Sequence, residues 1–237
     1  MKAIILAAGM GKRLQKASDG KPKSMIKIGE KSIMHHQLES CQQVGIKDFV
    51  FVLGYKKDEL KQHILEKIDQ ENAVFIENPI YNKTNTLYSL YLTRKQFDDD
   101  FIYFNADVLF QSKLLKKISS PSQYSQLLLE TKSCGEEEVK MIIDDNMKIL
   151  EIGKKLPIPK CAGEFIGIGK FKKEILPKFI EHLQYGVDND QANNYFEYAV
   201  DLLAKDVTLQ AVPTDGIPCI EIDFPEDLRR AREMFEL

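Results

Sequence analysis

The 237-residue sequence has no surplus of either charge: 33 Lys and Arg stand against 36 Asp and Glu, a formal net charge of −3. An extended nucleic-acid surface is therefore not expected, because binding along a phosphate backbone demands a clear basic excess. No apolar run approaches the roughly 20 residues that cross a bilayer, so membrane insertion is not expected either. The opening stretch Met1–Gly9 is too short for a signal-peptide core and runs into glycine and basic residues. Cysteine is scarce. Cys41, Cys134, Cys161 and Cys219 form no Cys-x-x-Cys pair and no Cys/His ligand spacing, so structural thiols and a cytoplasmic compartment are the expectation. Repeats, low-complexity tracts and linkers are also missing, which predicts one domain over 1–237. No Ser/His/Asp or Cys/His grouping suggests a hydrolase, and His35 and His36 read as structural or surface residues of an early helix.

What is present is a globular composition, 43% apolar and 29% charged, enough to bury a substantial core and too apolar for a disordered chain. Short β-branched runs at Lys2–Leu6, Asp48–Leu53, Ala73–Glu77 and Phe101–Phe104 read as strands. Between them, Ser32–Val44, Lys57–Ile68 and Thr86–Gln96 place apolar residues three and four apart, as amphipathic helices do. That alternation predicts an α/β fold: a Rossmann-like, mostly parallel mixed sheet with helices on both faces. The second half changes character. Val139–Ile143 and Lys148–Ile152 flank Asp144-Asp145-Asn146 as a small β-hairpin, Gly163–Gly169 reads as a strand, and helices follow near Lys172–Gln184 and Gln191–Ala204. A last strand, Cys219–Ile222, leads into a helix that starts at Pro225.

Strand one delivers Leu6-Ala7-Ala8-Gly9-Met10-Gly11-Lys12-Arg13 at its C-terminal end, where open α/β sheets bind ligands. Small residues let backbone N–H groups approach an anion closely. The Walker A pattern is absent, since no glycine lies five residues before Gly11-Lys12 or Gly20-Lys21. The dinucleotide pattern fails as well: Leu14 occupies the third glycine position, and Leu53-Gly54-Tyr55 lacks the acid that would hold a ribose. Cations follow the loop. Met1 to Lys31 carries eight basic residues against only Asp19 and Glu30, and Arg13 and Lys23 are placed to cover a triphosphate. A solvated basic loop is the plainer reading at this point.

Carboxylates occur where a metal would need them. Asp107 ends the apolar strand Phe101–Phe104, at the same sheet edge as the glycine loop. Glu221 and Asp223, two apart, share a face of the last strand. Mg²⁺ takes hard oxygen ligands, commonly one or two carboxylates with phosphate oxygens and waters, and an Asp107–Asp223 pair supplies that. Asp223 also suits a helix N-cap before Pro225. A glycosidase-style acid/base pair fits less well beside a cationic loop.

Ala-Ala-Gly-x-Gly-x-Arg-Leu at 7–14, followed by Pro22-Lys23, resembles the signature of nucleoside triphosphate transferases related to sugar-1-phosphate nucleotidyltransferases, although Gln15-Lys16 stands where Pro-Leu is frequent. The resemblance implies the nucleotide-diphospho-sugar transferase-like fold, with nucleotide contacts from Leu6, Ala8, Gly9, Gly11, Lys12 and Arg13, and a phosphate contact from Lys23. It also implies the same Mg²⁺ ligands, Asp107 and Asp223. Asn78–Leu90, Glu138-Val139-Lys140, Gly153-Lys154-Lys155, Gly163–Ile168 and Glu221–Leu228 resemble a subgroup acting on phosphocholine, aminoalkylphosphonates, phosphoglutamine or inositol phosphate with CTP. By that analogy Lys154 contacts the acceptor phosphate, and Asn85, Thr86 and Ser89 lie near nucleotide or acceptor, with the β-hairpin on the acceptor side. Glu221 belongs to the same side. Tyr195 and Glu164, with Tyr88, Tyr91, Tyr198 and Glu197, offer a pocket for an ammonium group. Core packing is the competing reading for most of these tyrosines.

The expectation is a Mg²⁺-dependent cytidylyltransferase in which Arg13, Lys23, Asp107 and Asp223 carry the chemistry. A UTP- or dTTP-using sugar-1-phosphate nucleotidyltransferase and a non-catalytic nucleotide-binding regulator are the alternatives. The acceptor's identity and the oligomeric state, a homodimer among the options, stay open.

Overall fold

A computed structural model describes residues 1–235. The chain runs β1 (Lys2–Ala7), a small hairpin of β2 (Lys27–Ile28) and β3 (Lys31–Ser32), α1 (Ile33–Gln43), β4 (Phe49–Leu53), α2 (Lys57–Leu65), β5 (Ala73–Glu77), α3 (Thr86–Leu92) and β6 (Phe101–Asn105). It continues through β7 (Val108–Phe110), α4 (Ser112–Ser119), β8 (Ser125–Glu130), β9 (Lys140–Ile143), β10 (Ile149–Gly153), β11 (Gly163–Phe171), α5 (Leu176–Asp188), α6 (Glu197–Asp206), β12 (Leu209–Pro213), β13 (Cys219–Glu221) and α7 (Pro225–Phe235).

Nine strands form one mixed sheet in the order β10-β9-β11-β6-β1-β4-β5, with β8 on the other edge of β11 and β12 beyond it. The segment β6-β1-β4-β5 is parallel throughout; Ile4 sits between Val50 and Tyr103. A parallel strand covered on both faces must be apolar at every position. In β1, Ile5 joins the layer under α1, α2 and α4, while Ile4 joins the layer under α3, α5 and α6. Each such wholly buried side chain contributes about 1.5–3 kcal/mol. Because β4 lies on one side of β1 and β6 on the other, the chain order reverses at β1. That reversal opens a crevice beyond the strand ends.

The four strands expected in the first half coincide with β1, β4, β5 and β6 to within a residue. Beyond β6 the chain holds more than its periodicity suggests, since β7, α4, β8 and β12 add to the expected elements. The expected helix over 191–204 starts only at Glu197. Before that, Ala192 O accepts from Asn85 N (3.1 Å) and Asn194 O from Leu87 N (3.2 Å), so this segment's carbonyls serve the start of α3. The hairpin turn is as expected: Asp144 Oδ1 accepts from Asn146 N and Lys148 N, both at 2.9 Å, and Met147 takes φ 62. Among the described residues no helix is long and apolar enough to cross a membrane.

Candidate active site

The glycine loop emerges from β1 at the chain reversal. Gly11 has φ +56, a left-handed conformation that favours glycine, and a Cβ there would lie 2.8 Å from Lys23 Cβ. The loop therefore packs directly on the stem of Lys23. Its start is tied down by main-chain bonds, with Leu6 O accepting from Ala106 N (3.2 Å) and Ala8 O from Tyr55 N (3.0 Å). Gly54 has its own reason to be glycine, because a Cβ would meet Ala8 O at 2.7 Å. Gly11, Lys12, Arg13, Lys23 and Asp223 line a cleft of about 250 Å³.

The carboxylates arrive from a distant part of the chain. β13 pairs antiparallel with β7, Glu221 opposite Val108, and Asp107 O accepts from Ile222 N at 3.1 Å. That pairing sets Asp223 beside Asp107. Lys23 Nζ then stands between them, 2.7 Å from Asp107 Oδ2 and 2.5 Å from Asp223 Oδ1. Arg13 lies 3.8 Å from the other oxygen of Asp223, its guanidinium 4.5 Å over the Phe224 ring. Asp223 directs its carboxylate at Lys23. The backbone N–H groups of Asp223 and Phe224 go instead to Asp227 Oδ2, at 3.1 and 2.8 Å, at the start of α7.

Electrostatics follows from this crowding. Burial disfavours the charge on Lys23, yet Asp107 and Asp223 outweigh it and hold the ammonium well above its usual range. Burial would also raise Asp223, but Lys23, then Arg13 and Lys154, pull it below the ordinary carboxylate value. Glu221 goes the other way: burial first, then Asp107 and Asp223, push its carboxyl well above 4.5. Two observations bear on a cation. Among the described residues Asp107 Oδ1 is buried without a hydrogen-bond partner, and Asp107, Glu221 and Asp223 offer oxygens within 4.8 Å of one another. An all-oxygen set with an unclaimed buried acceptor fits a hard divalent ion such as Mg²⁺.

The other expected residues fall into separate groups. Lys154 Nζ lies 4.4 Å over the Tyr195 ring, and its charge reaches both Asp223 and Glu197. Glu164 is engaged by Lys132 at 2.5 Å. Asn85 caps α3, its Oδ1 accepting from Thr86 N (2.9 Å), while Thr86 Oγ1 accepts from Phe196 N (2.8 Å). Ser89 Oγ accepts from the buried Asn78 Nδ2 (3.1 Å), so Thr86 and Ser89 already have structural work. Of the tyrosines, Tyr91 and Tyr198 pack against the core, Tyr91 OH donates to Gln184 Oε1 (2.7 Å), and Tyr195 is exposed. The cysteines are unpaired, and burial pushes the Cys219 thiol up to about 12.

Two supporting roles are absent from the sequence reading, those of Gln37 and Lys140. Gln37 is wholly buried and donates from Nε2 to Asn105 O (2.9 Å) and Val108 O (2.8 Å), bracing the turn that carries Asp107. Buried Lys140 donates to Glu136 O (3.2 Å), Glu138 O (3.1 Å) and Lys154 O (2.5 Å), fixing the backbone of Lys154. A buried glutamine on a helix and a lysine inside a strand were the available signals, since both break an apolar face. Glu197, 4% exposed, leaves Oε2 without a partner among the described residues, and burial pushes its carboxyl up to about 7.

The nucleotidyl transferase family pattern matches residues 2–140. The chain is 29% identical to a CTP:phosphoglutamine cytidylyltransferase of Campylobacter jejuni, covering 96% of this chain and 98% of the relative. It is 23% identical to the choline-phosphate cytidylyltransferase of Streptococcus pneumoniae, over 100% and 99% of the two. A solved CTP:phosphocholine cytidylyltransferase from Streptococcus pneumoniae superposes with TM-score 0.83 at 22% identity, covering 98% of each chain, which shows the same fold.

Proposed function

The chain belongs to the nucleotidyl transferase family, and from that premise we propose that it is a cytidylyltransferase joining CTP to a small phosphorylated or phosphonate acceptor. One observation carries the reading: cations from the glycine-loop region, Lys23 and Arg13, meet Asp107 and Asp223 in a single cleft. Full-length similarity to cytidylyltransferases supports the choice of base and acceptor class.

An acceptor phosphate oxygen is already anionic and needs no general base. It attacks the α-phosphorus, the bond to the β-phosphate oxygen breaks, and pyrophosphate leaves with the electron pair. Catalysis is then positioning and charge neutralisation. Lys23, now held between two carboxylates, turns to the phosphate oxygens, and Arg13 covers the outer end of the triphosphate. Lys154, its backbone held by Lys140, neutralises the acceptor phosphate. Asp107 and Asp223 would hold Mg²⁺, which when bound supplies Lewis-acid charge at the phosphates. Gly11 keeps the loop close enough for its N–H groups to face the nucleotide.

The test is pyrophosphate release with CTP, UTP and dTTP against phosphocholine, 2-aminoethylphosphonate, phosphoglutamine, inositol phosphate and sugar 1-phosphates. Turnover is expected with CTP and one of the first four. A preference for UTP or dTTP with a sugar 1-phosphate overturns the reading, as does tight CTP binding without turnover.

A further inference from the structure

A second group of metal-ligating side chains lies where α1 and α2 meet. Glu66 Oε2 is 3.2 Å from His63 Nδ1 and 3.7 Å from His35 Nε2, and the three residues offer ligand atoms within 4.8 Å of one another. We propose that His35, His63 and Glu66 form a second cation site that takes a divalent transition metal such as Zn²⁺ and discriminates against Mg²⁺.

The donor set decides the metal class. Asp107, Glu221 and Asp223 present only hard oxygens, whereas this group presents two imidazole nitrogens and one carboxylate, a set that suits Zn²⁺ or Co²⁺. Tetrahedral zinc at its usual bond lengths sets neighbouring donors about 3.3 Å apart, close to the separations from Glu66. A neutral His63 ring offers one nitrogen lone pair to a metal while its other nitrogen keeps a proton. Ser32 Oγ lies 2.7 Å from His63 Nε2, on the far side of the ring from Glu66. With Nδ1 on the metal, Nε2–H donates to Ser32 and fixes the ring, the usual support of a ligating histidine.

Ser32, His63 and Glu66 also line up as a hydrolase triad would. Ser32 is 1% exposed and its oxygen caps α1 by accepting from His35 N at 3.1 Å, so no substrate reaches it. Metal binding does require one exchange. His35 Nε2 now donates to His63 O at 2.9 Å, and the two rings stack with centroids 3.9 Å apart. His35 gives up that bond, carries its proton on Nδ1 instead of Nε2, and tilts from the stack to direct the Nε2 lone pair at the ion. The Glu66 side chain, 60% exposed, leaves a route for the ion and a position for water. The result is a cross-link between the first turn of α1 and the end of α2. It lies near Lys21, whose charge is felt at His63.

Untagged, metal-stripped full-length protein is titrated with Co²⁺ in a large excess of Mg²⁺. Visible d–d absorption and the melting temperature are followed, with Zn²⁺ as competitor. One Co²⁺ per chain is expected, with a nitrogen-ligated low-symmetry spectrum, displacement by Zn²⁺ and a raised melting temperature. His63→Gln should abolish the signal. Exposed Glu66→Gln, which leaves the packing intact, should weaken binding at least about tenfold. The Asp107→Asn/Asp223→Asn double variant should bind Co²⁺ as the parent does. No retention of Co²⁺ in excess Mg²⁺, retention that survives Glu66→Gln and His63→Gln, or loss in the Asp107→Asn/Asp223→Asn protein each overturns the proposal.

Discussion

Two lysines of this molecule stand between paired carboxylates, and the two groups differ in what they leave over. Lys132 bridges Glu130 (3.1 Å) and Glu164 (2.5 Å), which face each other across β8 and β11. Like charges directly opposite on a sheet repel, and the lysine removes that cost. Lys23 bridges Asp107 and Asp223, but there one buried carboxylate oxygen has no partner among the described residues and a third carboxyl, Glu221, crowds in. The first group balances a cross-strand repulsion. The second holds acceptor capacity that the protein itself does not use. The lesson is that a pinned lysine alone does not mark a site; unclaimed lone pairs beside it do.

The contrast can be broken most directly at the lysines themselves. Lys23→Ala should lower kcat/KM for the nucleotidyl transfer about 100-fold, roughly 3 kcal/mol of transition-state stabilisation, while Lys132→Met should leave turnover near the parent. Steady-state pyrophosphate release measures both, and an equal loss in the two variants erases the distinction.

Glu197 tests what happens to a buried carboxyl that no lysine touches. Its carboxyl sits at about 7 in the folded chain, against about 4.3 when unfolded. Between those pH values the folded chain keeps a proton that the unfolded chain has lost. Stability therefore falls as pH rises from about 4 to about 7 and stays lowered above that. The window caps the penalty near 4 kcal/mol, and a glutamine amide would itself lack one partner. Glu197→Gln should thus regain about 1–2 kcal/mol at pH 8 and nothing at pH 4, read by urea unfolding. A variant no more stable than the parent at pH 8 would mean that the carboxyl finds a partner.

The smallest effect belongs to the cross-strand group. Lys132→Met should cost about 1 kcal/mol by exposing Glu130 to Glu164, and adding Glu164→Gln should restore most of it. Additive losses in that double variant would show that repulsion is not what Lys132 relieves.

Which parts of this molecule are legible in sequence follows from physical rules. β1, β4, β5 and β6 can be read because both faces are buried and every position is apolar. The glycine loop and Lys23 can be read because small residues and cations follow a strand end. β8 and β12 are harder, since Ser125-Gln126-Leu127-Leu128-Leu129-Glu130 is a short run whose partners β11 and β12 come much later in the chain. In α4 the signal is present, as Leu114, Leu115 and Ile118 share one buried face, but it is confined to eight residues. Within the site, the family resemblance supports the Asp107–Asp223 pair, whereas the double pairing of Lys23 needs the β7–β13 register. That Gln37 braces Asp107, that Lys140 holds Lys154, and that Glu197 Oε2 lacks a partner among the described residues are all facts of packing. No spacing encodes them.

The pairing of β13 with β7 also sets a timetable for synthesis. Lys23 and Asp223 are 200 residues apart, which at ribosomal speed separates their appearance by roughly 10–40 s. During that interval the parallel strands and the glycine loop have already been made, and Asp107 joins them well before Asp223. A growing chain can therefore gather the cations of the cleft before it owns the second acid. Under the proposed function, activity would switch on only when nearly all of the fold has been translated, so a prematurely terminated product would be inert rather than misdirected.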